Sequence, residues 1–419
     1  MRRARLLALL VLGVSAAAIA ARRPEVFTTP QFYAEDGMEF FARAYNAPTP
    51  VQASVFFPYG GYLQVFPRLA GKVAGLFDLA AAPLVMAAFA LLIQAAAPVF
   101  LLSERFAWAV PGRARRLVLA ILLIAVPNLM EVHANITNSH VHLALLALLV
   151  LIAEPSRALA WRVFDVACLV VSGLSGPFCL LLVPAAALCW RSNRDPWTRT
   201  RFLIVLGTAL VQFWVLSQWA VGSRAVRSAY GAAVANLLAL LGAQIFVAGL
   251  VGVWNYASLY AGVFANHPWL PAVIGAVGLV FLARAAIVTT STALRVLLLF
   301  AALHLAAALT SPIIFGDKPL WEMLKTPGAG QRYYFFTTLA YLATLLWTVA
   351  ADPRLAMRGV AAVLLGVLAL VGVPRDWRLP PQPDLHFAAQ VERFQAARTG
   401  EKVELLITPE PWRMMLVKH

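Results

Sequence analysis

Apolar runs recur along this chain, at about 5–21, 82–102, 117–130, 139–153, 163–174, 177–190, 202–219, 269–284, 295–310, 333–350 and 358–373. One soluble core cannot cover eleven such stretches, and large uncovered apolar patches on a soluble monomer are rare. A bilayer accepts them. Its hydrocarbon core, about 30 Å thick, takes a helix of about 20 apolar residues, and a helix satisfies its own backbone there. The expectation is an all-α polytopic membrane protein with about 11 transmembrane helices. Composition agrees: 61% of residues are hydrophobic and 13% charged, against roughly half and a quarter in soluble domains.

Several runs are short. The two flanking "SGLSGP" (172–177) have 12 to 14 residues and read either as spans or as half-helices meeting at a break. The start, "MRRARLLALLVLGVSAAAIAARRP", has a basic head, a short apolar run and small residues near Ala20, features that a cleaved signal peptide shares. An anchored polytopic chain gains nothing by losing it, so a retained first helix is expected.

Lys and Arg number 34 against 19 Asp and Glu, an excess that suits either nucleic acid or cytoplasmic membrane loops. Its distribution decides for the loops. Counting crossings from Arg2, Arg3 and Arg5, alternate loops carry Arg105, Arg113, Arg115 and Arg116; then Arg157 and Arg162; then Arg191, Arg194, Arg199 and Arg201; then Arg284 and Arg295; then Arg354 and Arg358. This parity requires that 62–79 and 231–253 do not cross. Pro67, Arg68 and Lys72 make 62–79 an interfacial helix, whereas 231–253 carries no charge and is assigned by parity alone. No nucleic-acid motif occurs, so the bilayer is the expected partner. The exoplasmic side then holds a first loop at 22–81, "MEVHANITNSH" (130–140), the loop around Arg224 and Arg227, residues 311–332 and a tail from 374. Domain boundaries follow: a transmembrane module over 1–373 and a small exoplasmic segment over 374–419. Cys168, Cys179 and Cys189 lie in apolar runs without ligand spacing and read as packing residues.

The first loop contains "QFYAEDGMEFFARAYN" (31–46), in which Glu35 and Asp36 stand among Phe32, Tyr33, Phe40 and Phe41. Met38, Phe41 and Tyr45 recur at helical spacing, and Glu39 and Arg43 form an i,i+4 pair. The acids fall at the N-terminal end of this short helix, where its dipole favours carboxylates. A solvated N-cap is the plain alternative, but the aromatic setting points to a site.

With its first helix, its acidic exoplasmic loop and some ten further spans, the chain resembles the GT-C superfamily of membrane glycosyltransferases. The stretches "YAEDGMEFF", "PYGGYLQVFPRLAG", "NITNSHVHL", "LSGPF" and "TPEPWRMML" look like a bacterial branch of it. The resemblance implies a polyprenyl-phosphate-linked sugar as donor and an exoplasmic glycan, lipid or protein as acceptor. It places the active site on the periplasmic or extracellular face of a bacterial inner membrane. It also implies that Asp36 or Glu35 is the general base, Asp36 being preferred by similarity to members with an Asp in this loop. In metal-dependent members such acids also hold a divalent cation (Mg or Mn), so the cofactor stays open.

A leaving phosphate calls for cations and donors. "GAGQRYYFF" supplies Arg332 at a helix entrance, with Tyr333 and Tyr334 beside it and Lys318, Lys325 and Gln331 nearby. Arg332 reads equally as a phosphate contact or a snorkelling belt residue, and the tyrosines as an aromatic belt. In "EVHANITNSHVHL", Asn138 and His140 are candidate donors to a sugar hydroxyl or phosphate, with a helix cap as the other use of Asn138. His140 and His142, two apart, suit a strand and not a helical zinc site. His304 reads as a core histidine bonded within the bundle. The tail, with Phe387, Val391 and Phe394 at helical spacing and the strand-like "KVELLITPEPW", is too small to fold alone and should rest on the outer loops. A lipid-linked sugar flippase or other transporter shares the span count, but would show an internal repeat and polar groups near the midplane.

Overall fold

The computed structural model describes residues 2–219, 229–312, 314 and 317–419; the loop around Arg224 and Arg227 lies outside the described residues. The protein is mostly helical. Among the described residues, six helices are long and apolar enough to cross a membrane: Ala82–Leu101, Pro196–Trp219, Val234–Phe264, Leu270–Val288, Thr292–Thr310 and Leu355–Asp376. Five expected spans are shorter helices: Arg113–Ala125, Ser139–Ile152, Leu159–Gly173, Phe178–Ser192 and Phe335–Ala351, of 13 to 17 residues. A straight crossing needs about 20. Ser139–Ile152 is buried on every face except at His140, so its apolarity answers to neighbouring helices as much as to lipid.

The arginine-bearing loops gather at one end. Arg105 and Arg201 both bind the fully buried Asp165, at 2.8 and 2.7 Å. Arg284 and Arg358 meet at Asp352. One cavity is walled by residues of both neighbourhoods, among them Glu154, Thr198 and Thr292. The acid pair and the loops near 130 and 330 sit at the other end.

Leu159–Gly173 runs alongside Pro196–Trp219, with Asp165 level with Arg201 and Gly173 level with Thr208. Phe178–Ser192 packs on the same long helix and reaches it through the short link 193–195. The chain therefore turns back at 172–177. The half-helix alternative is corrected: this is the turn of an antiparallel hairpin.

Residues 65–74 form the ten-residue helix Val65–Ala74, about 15 Å long and too short to cross. The expectation for 231–253 fares differently, because that stretch belongs to Val234–Phe264, which has spanning length. That helix packs along Leu270–Val288, where Gly242 meets Pro271 and Phe246 meets Gly278, and its polar side chains reach neighbouring loops. Asn236 accepts from Lys325, Gln244 donates to the Leu324 and Thr326 carbonyls, and Val253 N–H donates to Asp376. At Gly252 the backbone leaves the helix (φ 84, ψ 164), so the run bends there.

The tail forms the helix Phe387–Ala396 and an antiparallel hairpin of Lys402–Leu406 and Arg413–Val417, in register from Lys402↔Val417 to Leu406↔Arg413. Its Phe387, Val391, Phe394, Leu405, Met414 and Leu416 bury against Phe32, Phe40 and Phe41 of the first loop in one cluster. Tail and acid loop thus share a core across the boundary at 373.

Candidate active site

The acid loop is held from three sides. Thr408 N–H donates to Phe32 O (3.0 Å), and Ala34 N–H donates to Thr408 O, making Tyr33 and Thr408 a short parallel bridge. Ala34 takes a left-handed φ of 42, uncommon for a residue with a Cβ. Asp36–Phe41 then forms a π-helical turn continued by Ala42–Asn46. Helix Val65–Ala74 presses Gly71 onto this turn so closely that a Cβ there would lie 2.3 Å from Phe40 O. Arg68 of the same helix binds Glu39 at 2.6 Å, and Arg43 binds it at 2.9 Å. The expected Glu39–Arg43 pair is present, and the arginine that would be costly in lipid has a buried partner.

The two acids have different surroundings. Asp36 is buried, with Thr137 N–H and Oγ–H donating to Oδ1 (2.6 Å each) and Ile136 N–H to Oδ2 (3.1 Å). Burial pushes its pKa up to about 7 against these bonds. Glu35 is half-buried, beside Thr137 and Tyr59. Burial raises its pKa too, and Arg332 is near enough to oppose the rise. The preference for Asp36 as base meets a geometric obstacle: both its oxygens are engaged by the 136–137 backbone and hydroxyl. Glu35 is the more open carboxylate.

Arg332 forms an ion pair with Glu131, whose other oxygen accepts the Arg332 N–H at 3.0 Å. Its guanidinium also donates to Tyr333 Oη (2.8 Å) and lies over that ring. Gln331 locks the two loops together, donating to Asn128 Oδ1 and accepting from Glu131 N–H. Residues about 200 apart in the sequence thereby share one locus.

Other candidates are used elsewhere. Asn138 occupies the N-cap position of Ser139–Ile152 without a side-chain cap bond, and donates to Glu131 O and Asn135 Oδ1 inside its own loop. Lys325 gives its ammonium to Asn236, and Lys318 is exposed. Tyr334 is buried and donates to Leu324 O, so the belt reading is corrected for it; Tyr333 is likewise buried. His140 stacks on Phe178, with the Thr137 backbone beside its ring. His304 is buried against Phe178 and Phe336, and its Nδ1 has no hydrogen bond among the described residues, contrary to the bonded histidine expected.

Sequence reasoning took Tyr33 only as part of the aromatic setting of the acids and gave no role to Arg23, Tyr59, Glu131 or Thr137. Tyr33 lies within the fields of Arg23, Asp36, Glu35 and Arg332, and burial raises its pKa. Arg23 follows the first helix directly, and that position was its signal in the sequence. A divalent cation does not fit this donor set. N–H and O–H donors occupy both oxygens of Asp36, and among the described residues no three His, Cys, Asp or Glu side chains are grouped to hold one.

Neither a scan against protein-family models nor a search of curated proteins returns a match to this chain.

Proposed function

We propose that this chain is a GT-C-type glycosyltransferase of a bacterial inner membrane. It crosses about 11 times and takes sugar from a polyprenyl-phosphate donor on the exoplasmic face. The observation that supports this most is that Arg332 lies close enough to Glu35 for its charge to oppose the rise in the Glu35 pKa, at the end of the bundle opposite the arginine-rich loops: an acid suited to proton removal within the field of a cation suited to phosphate. Glu35 takes the proton of an acceptor hydroxyl as its oxygen attacks the anomeric carbon. The bond from that carbon to the phosphate oxygen breaks, and polyprenyl phosphate leaves with the electron pair. Asp36 acts as a strut that sets Thr137 beside Glu35. Arg332, steadied by Glu131 and Tyr333, meets the negative charge on the leaving phosphate. A placed carboxylate contributes about 10²–10⁴ in rate, and a preorganised cation a comparable factor.

The test uses the full chain in nanodiscs. Polyprenyl phosphate should raise its melting temperature, whereas the uncharged polyprenol should not. Across a panel of polyprenyl-phosphate sugars, Glu35→Gln should slow transfer by about 10² or more with lipid binding kept, and Arg332→Ala should weaken binding. Equal stabilisation by phosphate and alcohol, or wild-type turnover in both Glu35→Gln and Asp36→Asn, defeats the proposal and brings the transporter reading forward.

A further inference from the structure

The arginine-rich end encloses a cavity of about 310 Å³, remote from Glu35. Trp108, Leu151 and Val296 line its apolar side, and Ser192, Asn193 and Thr198 its polar side. Thr198 is 4% exposed, and its hydroxyl has no partner among the described residues. A buried hydroxyl left so is costly, and an acceptor entering the cavity would relieve it. Arginines flank the lining residues in sequence: Arg191 and Arg194 bracket Ser192 and Asn193 of the wall, and both are exposed. Two carboxylates oppose them, Glu154 on the wall and Asp195 in the link between Asn193 and Thr198, where it accepts the Trp197 N–H. Behind the wall, Arg201 and Arg105 outnumber their shared Asp165, and they bond to the carbonyls of Ala153 and Glu154.

We propose that this cavity seats the headgroup of an anionic phospholipid. Its phosphodiester would accept from Thr198 and Asn193, balanced by the neighbouring Arg191 and Arg194, and the chains would leave along the apolar side. The volume is at the lower end for ligand pockets, which suits a headgroup and the first chain carbons. Basic pockets between membrane helices bind such headgroups. The inference depends on the membrane character of the chain and is independent of the transfer reaction.

Native mass spectrometry of the full chain, released from nanodiscs of phosphatidylcholine with phosphatidylglycerol, tests it. Phosphatidylglycerol should stay bound at least about tenfold better than phosphatidylcholine. Thr198→Val and Arg194→Gln should each cut that retention about fivefold, and Arg375→Gln, exposed at the other end, should leave it unchanged. Equal retention of the two lipids overturns the proposal. So does a loss in Arg194→Gln alone, which would mean surface attraction without the cavity. If soluble glycerol 3-phosphate competes as well as the lipid, the site is one for free phosphate esters and the lipid assignment falls.

Discussion

Gly71→Ala tests whether the acid loop is set by direct backbone contact with helix Val65–Ala74. A Cβ at residue 71 would stand 2.3 Å from Phe40 O and 2.6 Å from Phe40 C. Ordinary contact begins near 3.4 Å, so the helix must retreat from the turn by about 1 Å, and no rotamer can relieve a clash between backbones. Overpacking of this kind costs about 1–3 kcal/mol, from which an alanine's better helix propensity returns up to about 1 kcal/mol. A net loss of about 1–2 kcal/mol is expected. The functional loss should be larger, because a shift of about 1 Å can cost a factor of about 10² and the displaced turn begins at Asp36. Gly75→Ala is the control. Gly75 ends the same helix at φ −67, and its Cβ would meet nothing closer than 3.4 Å. Thermal unfolding in detergent, with hydrogen exchange of the 36–41 amides, should separate the two variants. If they unfold and exchange alike, the close approach does not set the loop.

Gly252→Ala should be more severe, because φ there is 84 and the new Cβ would fall 2.4 Å from Asp376 Oδ1. Asp376 accepts from Asn128 and Val253 at 2.8 Å each, so about 3 kcal/mol or more should be lost; a thermal shift worth less than about 0.5 kcal/mol contradicts this. The unfolded pKa of Asp36 is near 3.8 and its folded value about 7, so the stability it lends is complete below about pH 4 and is lost as pH rises through 7. Asp36→Asn should flatten that slope, and parallel melting profiles for variant and wild type would refute the linkage. Activity carried by ionised Glu35 should rise with pH along a limb above its ordinary 4.5, since burial raises it; a limb at or below 4.5 excludes Glu35. Thr408→Val should cost only about 1 kcal/mol, because the bridge to Phe32 and Ala34 is made by backbone groups; a collapse of the tail would show that the hydroxyl carries it.

Much of the architecture was legible because charge reports sidedness. The alternating arginines predicted two groups of loops, and Asp165, Asp352 and the shared cavity gather the arginine-bearing ones at one end. Arg68 and Lys72 likewise marked 62–79 as unfit to cross. The charge-free 231–253 was harder, although Asn236 and Gln244 were a signal: their amides are what tie the run to the loop at 324–326. The choice between Glu35 and Asp36 was out of reach, because it turns on Thr137, a hundred residues on. Tyr334 looks like a belt residue in sequence since periodicity gives no depth, and only the bond to Leu324 O shows it buried.

The bridge between the acid loop and the tail has a consequence in time. Phe32 and Thr408 are 376 positions apart, and synthesis runs at about 5–20 residues per second, so the loop waits roughly 20–75 s for the strand that fixes it. Through that interval every helix of the bundle can be inserted while Phe32, Phe40 and Phe41 lack their cover. The proposed transfer would, on this geometry, have to wait for Thr408 to reach Phe32, and a chain cut short of that residue would be inserted yet lack a fixed acid loop.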